Sequence, residues 1–583
     1  MEASHRGPTV HDLIIRNATL VDGTGRDRFR GDVAVEGETI REVGRVSGTA
    51  RREIDAQGHL LTPGWVDVHT HYDGQVTWDP YLTPSGWHGV TTVVMGNCGV
   101  GFAPVRPGQE DYLIQLMEGV EDIPGSALAE GICWGWESFP DYLDVLERLP
   151  HAIDVGTQVP HGALRAYVMG PERCHDAIPT ESEVQQMCDL TREALHAGAL
   201  GFTSSRTHVH VGRDGKTVPG TVAGTAEMVR ISEMIGEVGH GVIEVIDDYL
   251  DDDDELRWIE SFAANTGKSI LISQNPVAAG QKFDAYSKLV RSGWAAGLKI
   301  RPQMPGRAQG MLLSLSSSIH PFLYHPTYRA ELARLSLDER VAAMKRPEMR
   351  ARLLAEAPAI GGILRHIATD FSKFFPVADT VDYEPREEDS ITARAAREGR
   401  SPEEVTYDVL LEAGGQRVLY YPSGPYPDYN LDRYRGLMNY GPMLLTLSDA
   451  GAHCGVICDA SMPTFMLTFW TRDRSRGEKL PLESVVQKLT LDCAETYELH
   501  DRGVIAPGKL ADLNLIDYEN LRLDMPRVVH DLPNRGKRFI QKAEGYLATV
   551  KSGQVIFERG VPTGALPGRL VRGPQPARGS SPL

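Results

Sequence analysis

The chain has 583 residues, 41% of them hydrophobic and 24% charged, with 60 basic against 79 acidic residues and a formal net charge of −19. That length exceeds one ordinary domain and can bury a large core without disulfides, and the acidic balance argues against nucleic acid or anionic membrane as a partner, since both require basic patches. The seven cysteines (98, 133, 174, 188, 454, 458 and 493) are scattered and odd in number, unlike an extracellular disulfide framework. The opening MEASHRGPTVHDLII lacks the pattern of a signal peptide, and no stretch of about 18 apolar residues marks a membrane span. These features predict a cytoplasmic globular protein.

In chain order, residues 12–60 read as short strands: DLIIRNATLVDGTG ends in an Asp-Gly turn, and DVAVEGETIREVG forms a hairpin turning near Gly37. From Gly64 onward short apolar runs recur (WVDVH, TTVVMG, VGTQV, ALGFTS, GVIEVI, SILIS, LKIRP and MLLTLS), most of them separated by segments of helical composition such as SEVQQMCDLTREALHAG. Buried apolar strands alternating with amphipathic helices indicate parallel βα units, and eight of them are what a (β/α)₈ TIM-like barrel needs. Residues 304–440 break the alternation with an Arg-rich helical stretch and a Pro/Tyr-rich loop, and read as an insertion before the last barrel strand. Residues 503–560 return to β texture. The expected organisation is therefore a small β-sandwich domain from both ends of the chain (8–60 and 503–560) beside a barrel domain (61–502), with 561–583 a disordered tail.

Three segments carry chemistry. In VDVHTHYD (66–73), alternate residues of a strand project together, so His69 and His71 form a natural pair of zinc ligands at the C-terminal end of a barrel strand. Cys98 ends the second strand in the Gly-rich turn MGNCGVG, where a thiolate is a good soft ligand and a buried structural cysteine is the alternative. Asp449 ends the run MLLTLSD, where it can bind metal and accept a proton from water, or simply cap a helix. His453 lies four residues on, beside the same site.

Together PGWVDVHTH, GNCG, SDAGAH and the terminal GVIAPGKLADLNLID resemble the amidohydrolase superfamily, and more narrowly the N-acyl-D-amino-acid deacylases (D-aminoacylases), over most of residues 12–560. Most relatives hold their metals with a carboxylated lysine on the fourth strand; the D-aminoacylase group uses a cysteine on the second. The fourth-strand segment ALGFTSSRTHVH contains no lysine, and Cys98 is present. The resemblance implies a metal-dependent hydrolase cleaving N-acyl-D-amino acids, with His69, His71, Cys98 and Asp449 as ligands and Asp449 as general base.

One departure matters. The resembled family binds a second metal position through histidines ending the fifth and sixth strands, whereas the matching positions here fall near Ile246 and at Gln274. A single zinc ion is the resulting expectation, with Asp247, Asp248, His208 and His210 as other groups that could complete the site. The run DDYLDDDDE reads as a helix start. His161, Arg206, Arg301 and Tyr420 or Tyr421 are candidates for binding the small-molecule amide and its carboxylate. Two other readings stand beside this one: a cyclic-amide hydrolase of the hydantoinase or dihydropyrimidinase kind, and a catalytically inactive, metal-poor relative acting as a binding protein.

Overall fold

The computed structural model describes residues 10–273, 282–424 and 426–573. It is an α/β structure in which parallel strands carry the site and an antiparallel sheet joins the two ends of the chain. The hairpin expected near Gly37 forms between Phe29–Glu36 and Thr39–Gly44, with Gly37 at φ 57° in the turn. These strands and Val10–Leu20 share one nine-stranded sheet with Leu513–Ile516, Tyr546–Lys551 and Gln554–Glu558 from the far end of the chain. One face buries Leu13, Ile15, Val33, Val35, Leu513 and Val550, and the alternate residues Ile14 and Ala34 are buried on the other face with Val46.

The eight apolar runs appear as parallel strands whose pairing is divided among three ladders. Trp65–Asp67, Val90–Met95 and Asp154–Thr157 form one; Val159–Pro160, Gly201–Arg206, Val242–Asp247, Ile270–Ser273 and Ile300–Gln303 form the second. In the third, Leu447–Ala450 pairs with His69–Thr70, and a parallel bridge links Gln303 to Leu444. Val66, Val68, Val94, Val242, Leu271 and Leu444 from these strands pack with Cys493, Ala494 and Tyr497 of the Leu491–Thr496 helix and the residue that follows it. The helices between strands start where side-chain caps place them: Thr180 and Glu183 make a reciprocal capping box at the head of Glu181–Ala197. The acidic run is a helix start as expected, with Asp252 accepting from the backbone of Asp254 and Glu255.

Residues between the seventh and eighth strands build a body with its own core of Leu313, Phe322, Met344, Leu353, Tyr407 and Leu419. Its small sheet (Gly310–Leu313, Phe375–Pro376 and Leu419–Pro422) leans on the loop after the eighth strand, where Leu312 N donates to Val456 O at 2.6 Å. The final segment departs from expectation. Residues 561–573 are not structureless: Gly568 and Leu570 bridge His151 and Val155, and Arg569 N donates to the buried Asp154 at 2.9 Å. Their backbone groups find partners along the third strand, which composition alone does not reveal; residues 574–583 lie outside the described part. No helix among the described residues is long and apolar enough to cross a membrane.

Asp154 is the joint between the two regions. It is fully buried and pairs with Lys551 Nζ at 3.0 Å and Arg502 at 2.7 Å, one from the end sheet and one from the turn leading into it. Burial opposes its charge, but Lys551 and Arg502 outweigh it and hold the carboxyl below the usual range. Replacing Asp154 by Asn removes the carboxylate that Lys551 and Arg502 share, leaving them Asp512 and Asp501, and is expected to cost about 1–3 kcal/mol in urea unfolding. A carboxyl depressed in the folded state contributes stability above its unfolded pKa and loses it as pH falls. The gap between wild type and Asp154→Asn therefore narrows below about pH 4.

Candidate metal centre

The first strand delivers both histidines. His69 and His71 are 1% exposed, with ring centroids 5.5 Å apart and planes at 70°. Cys98 follows the second strand in a turn that only glycines can frame. Gly96 (φ 81°) and Gly99 (φ 66°) are left-handed, and a Cβ at either would lie 2.4 Å from Gln158 O or 2.6 Å from Ser205 N. The turn is tied down by Asn97 Nδ2 donating to Thr70 O (3.0 Å), Gly99 N to Thr203 Oγ1 (3.1 Å) and Cys98 N to Glu244 Oε2 (3.0 Å). As a result the ligand atoms of His69, His71 and Cys98 lie within 4.8 Å of one another, and Cys98 Sγ is 3.3 Å from His69 Nε2.

Asp449 completes the group from the eighth strand. Its Oδ1 lies 3.4 Å from His69 Nε2 and 3.7 Å from His71 Nε2, while Oδ2 accepts from Gln309 Nε2 at 2.7 Å. Cys98 (φ 53°), Asp449 (φ 49°) and His453 (φ 46°) all hold left-handed backbone that costs a non-glycine residue energy. Three such residues at one site indicate that the fold is aiming these side chains against local preference.

The electrostatics are one-sided. Glu121, Glu244, Asp73 and Asp449 are all buried around Cys98. Burial and then these carboxylates push the Cys98 thiol well above its ordinary range. Burial likewise raises Glu121 well above the carboxylate range and Asp73 to about 7, and it lowers His71 to about 4, leaving that imidazole neutral at pH 7. At Asp449 burial also disfavours charge, but His71, His69 and His453 outweigh it and hold the carboxyl well below its usual range. Both ring nitrogens of the buried His71 lack a hydrogen-bond partner among the described residues. Orphaned imidazole nitrogens, a thiol and a carboxylate converging in an acidic pocket are a donor set that fits a divalent cation with affinity for N and S ligands. The residues present therefore fit zinc.

Other expected residues fall elsewhere. His161 uses both nitrogens, 2.8 Å from Ser204 Oγ and 2.9 Å from Glu227 Oε1, inside a cluster with Arg165. Arg206 is committed to Glu255 (2.8 Å) and Asp247 (3.4 Å), so neither Arg206 nor Asp247 is free for substrate or metal. Asp248 accepts from Thr207 and from His208 N. The His208 ring turns outward to the Tyr249 hydroxyl at 2.9 Å. His210 is partly buried, with its Nδ1 3.0 Å from Ser205 Oγ, and the charges of His453, His71, Asp449 and His69 bear on it. Arg301 lies among Asp492, Cys493 and Glu495, away from the metal ligands. Tyr420 packs against Tyr383, and Tyr421 against Phe374 in the core of the inserted body. Ile246 packs against the hydrophobic core, and Gln274 lies outside the described residues.

Four polar groups join the site without having been expected. Glu244 receives Ser273 Oγ at 2.7 Å in addition to Cys98 N. Gln303 Oε1 accepts from His69 Nδ1 at 3.0 Å. Gln309 binds Asp449, and Glu121 lies 3.6 Å from His71 Nδ1 and 3.5 Å from His453 Nε2. Glu244 was detectable as the lone acid inside the apolar run GVIEVI. Gln303 directly follows LKIRP as the last residue of its strand. Nothing in the local pattern marks Glu121, which reaches the site from the helix Glu110–Glu121.

Comparison with known proteins agrees with this architecture. D-aminoacylase of Alcaligenes xylosoxydans xylosoxydans is 35% identical over 194 residues, 33% of this chain and 37% of that protein. N-acyl-D-glutamate deacylase of the same organism is 32% identical over 219 residues, 37% of this chain and 40% of that protein. The alignments thus span less than half the length of either relative. A solved D-aminoacylase superposes with a TM-score of 0.63 at 23% identity, covering 96% of this chain and 100% of that one. N-acyl-D-glutamate deacylase from Bordetella bronchiseptica, solved with zinc and a phosphonate inhibitor, gives 0.62 at 22% identity, covering 97% and 100%; both likenesses show a shared fold. The amidohydrolase family model matches residues 52–557, most of the chain, and on that match the protein belongs to the amidohydrolase family.

Proposed function

We propose that this protein is a metal-dependent hydrolase of a non-peptide C–N bond, converting an N-acyl-D-amino acid and water to the D-amino acid and a carboxylate. The observation that carries the chemistry is the convergence of His69, His71 and Cys98 within 4.8 Å, with Asp449 3.4 Å from His69, in a pocket crowded with buried carboxylates. Such a pocket is neutralised by a cation, and we assign one zinc ion to these four side chains. The substrate class comes from the D-aminoacylase and deacylase relatives. The Gly201–Arg206 strand carries no lysine, which argues against a hydantoinase-like site. The eight parallel strands are read as a closed barrel, supported by the pairing of Leu447 with His69 and the bridge from Gln303 to Leu444. The nine-stranded sheet is read as the small domain of residues 8–60 and 503–560, and 304–440 as an insertion within the 61–502 barrel domain.

His69, His71, Cys98 and Asp449 would hold a divalent ion, whose chemistry when bound would be to acidify water and polarise the scissile carbonyl. The protein groups do the rest. His69 and His71 present Nε2 to the centre, and Gln303 holds His69 in that orientation. Asp449, held ionised and oriented by Gln309, takes the proton of the attacking water and returns it to the departing nitrogen. His210, pushed down to about 3 chiefly by burial, stays neutral and can donate a hydrogen bond to the substrate. A partly apolar cavity lined by Ile123, Leu128, Ile457 and Phe539 opens beside His71 and Asp449 and can hold an apolar substituent.

Replacing Asp449 by Asn is expected to lower kcat on N-acyl-D-amino acids by about 10²–10⁴-fold with an unchanged circular dichroism spectrum. Near-normal turnover would remove Asp449 as the base. Elemental analysis is expected to find one zinc per chain, lost with activity on chelation and regained on adding zinc. Two ions per chain would overturn the single-metal assignment, and a metal-free protein that zinc does not activate would favour the binding-protein reading. His210→Ala should lower kcat/KM by about tenfold, the worth of one hydrogen bond of ~1.4 kcal/mol, whereas His208→Ala should leave it unchanged. Equal effects would refute the assignment of His210.

A further inference from the structure

Each imidazole of the His-x-His pair carries a requirement at its outer nitrogen. A neutral imidazole that offers Nε2 to a cation keeps its proton on Nδ1, and a buried N–H needs an acceptor. His69 meets this need, since Nδ1 donates to Gln303 Oε1 at 3.0 Å. His71, equally buried, has no partner within hydrogen-bonding distance among the described residues. Opposite its Nδ1, at 3.6 Å, stands Glu121 Oε1, itself without a hydrogen-bond partner there.

Glu121 is an expensive residue to keep in this place. Its carboxyl is 1% exposed, and its ion-pair partners among the described residues are His71 and His453, the latter 3.5 Å from Oε2. A buried carboxyl with no role would be better replaced by an apolar side chain of similar size. Its position is fixed from the backbone. It is the last residue of the helix Glu110–Glu121, Asp122 turns the chain at φ 48°, and its carbonyl receives the N–H of His453.

We propose that Glu121 is the positioning residue of the metal centre for His71. It accepts the Nδ1 proton, so selecting the tautomer and ring plane that present Nε2, and its second oxygen ties His453 into the same unit. Gln303 and Glu121 are then the matched outer partners of the two histidines, one neutral and one acidic. This inference rests on reading His71 as a metal ligand.

The test is zinc affinity, measured by competition with a chromophoric chelator, for wild type, Glu121→Leu, Glu121→Gln, His71→Ala and the Glu121→Leu/His71→Ala double variant. Glu121→Leu is expected to weaken zinc binding about 10–100-fold. Glu121→Gln, which preserves volume and one acceptor but not the charge, should fall between it and wild type. The double variant should bind no more weakly than His71→Ala alone, because Glu121 acts through that ring. Additive losses would mean a merely structural role and overturn the proposal. So would wild-type affinity in both Glu121 variants while His71→Ala is impaired, an outcome that leaves the metal site itself standing. Wild-type affinity in His71→Ala would overturn both the inference and the ligand assignment beneath it. If Glu121→Leu does not fold, Glu121→Gln is judged by the same standard.

Discussion

Much of this structure is arranged around one electrostatic problem. Four carboxyl groups, from Asp73, Glu121, Glu244 and Asp449, are buried near one cysteine and two histidines. Burial strongly penalises such charges unless a cation or hydrogen bonds compensate them. The carboxyls of Glu244 and Asp449 are hydrogen-bonded to Ser273, Cys98 N and Gln309. The nitrogens of His71 are not, and a divalent ion is the compensation the donor set suits.

The scaffold answers that problem by taking ligands from strand ends and fixing them through neighbours. The His-x-His pair comes from the first strand and Asp449 from its parallel partner, so the two sides of the site share a backbone ladder. Cys98 hangs on a glycine-framed turn whose backbone is held from the fourth and fifth strands by Thr203 and Glu244. The inserted body is coupled to the same place, because the backbone of Gln309, whose side chain binds Asp449, accepts from Ser423 at 2.9 Å. A change in the inserted body therefore has a short route to the carboxylate assigned as base.

The fifth and sixth strands supply polar groups to the site rather than further imidazoles among the described residues. Ile246 of the fifth strand packs partly buried against the core, while Glu244 and Ser273 pair with each other and turn toward Cys98 and His69. These groups occupy the site by hydrogen bonding to ligands and to one another.

By itself, the sequence determined the alternation of apolar strands and helices, the antiparallel texture at both ends and the choice of His69, His71, Cys98 and Asp449 as side chains that converge. These signals are local: each depends on the period of a strand, a glycine turn or a residue at the end of an apolar run. Tertiary structure alone decided which neighbouring polar residues serve that set. Adjacent candidates separated only in space, with His210 bonded to Ser205 and His208 to Tyr249. Arg206 lay at the right strand end but was consumed by Asp247 and Glu255. Glu121 and Gln303 reach the histidines from 50 and 234 residues away in the chain, a distance across which no periodicity carries information. Which side chains converge is written in local pattern, whereas their orientation and charge balance come from long-range packing.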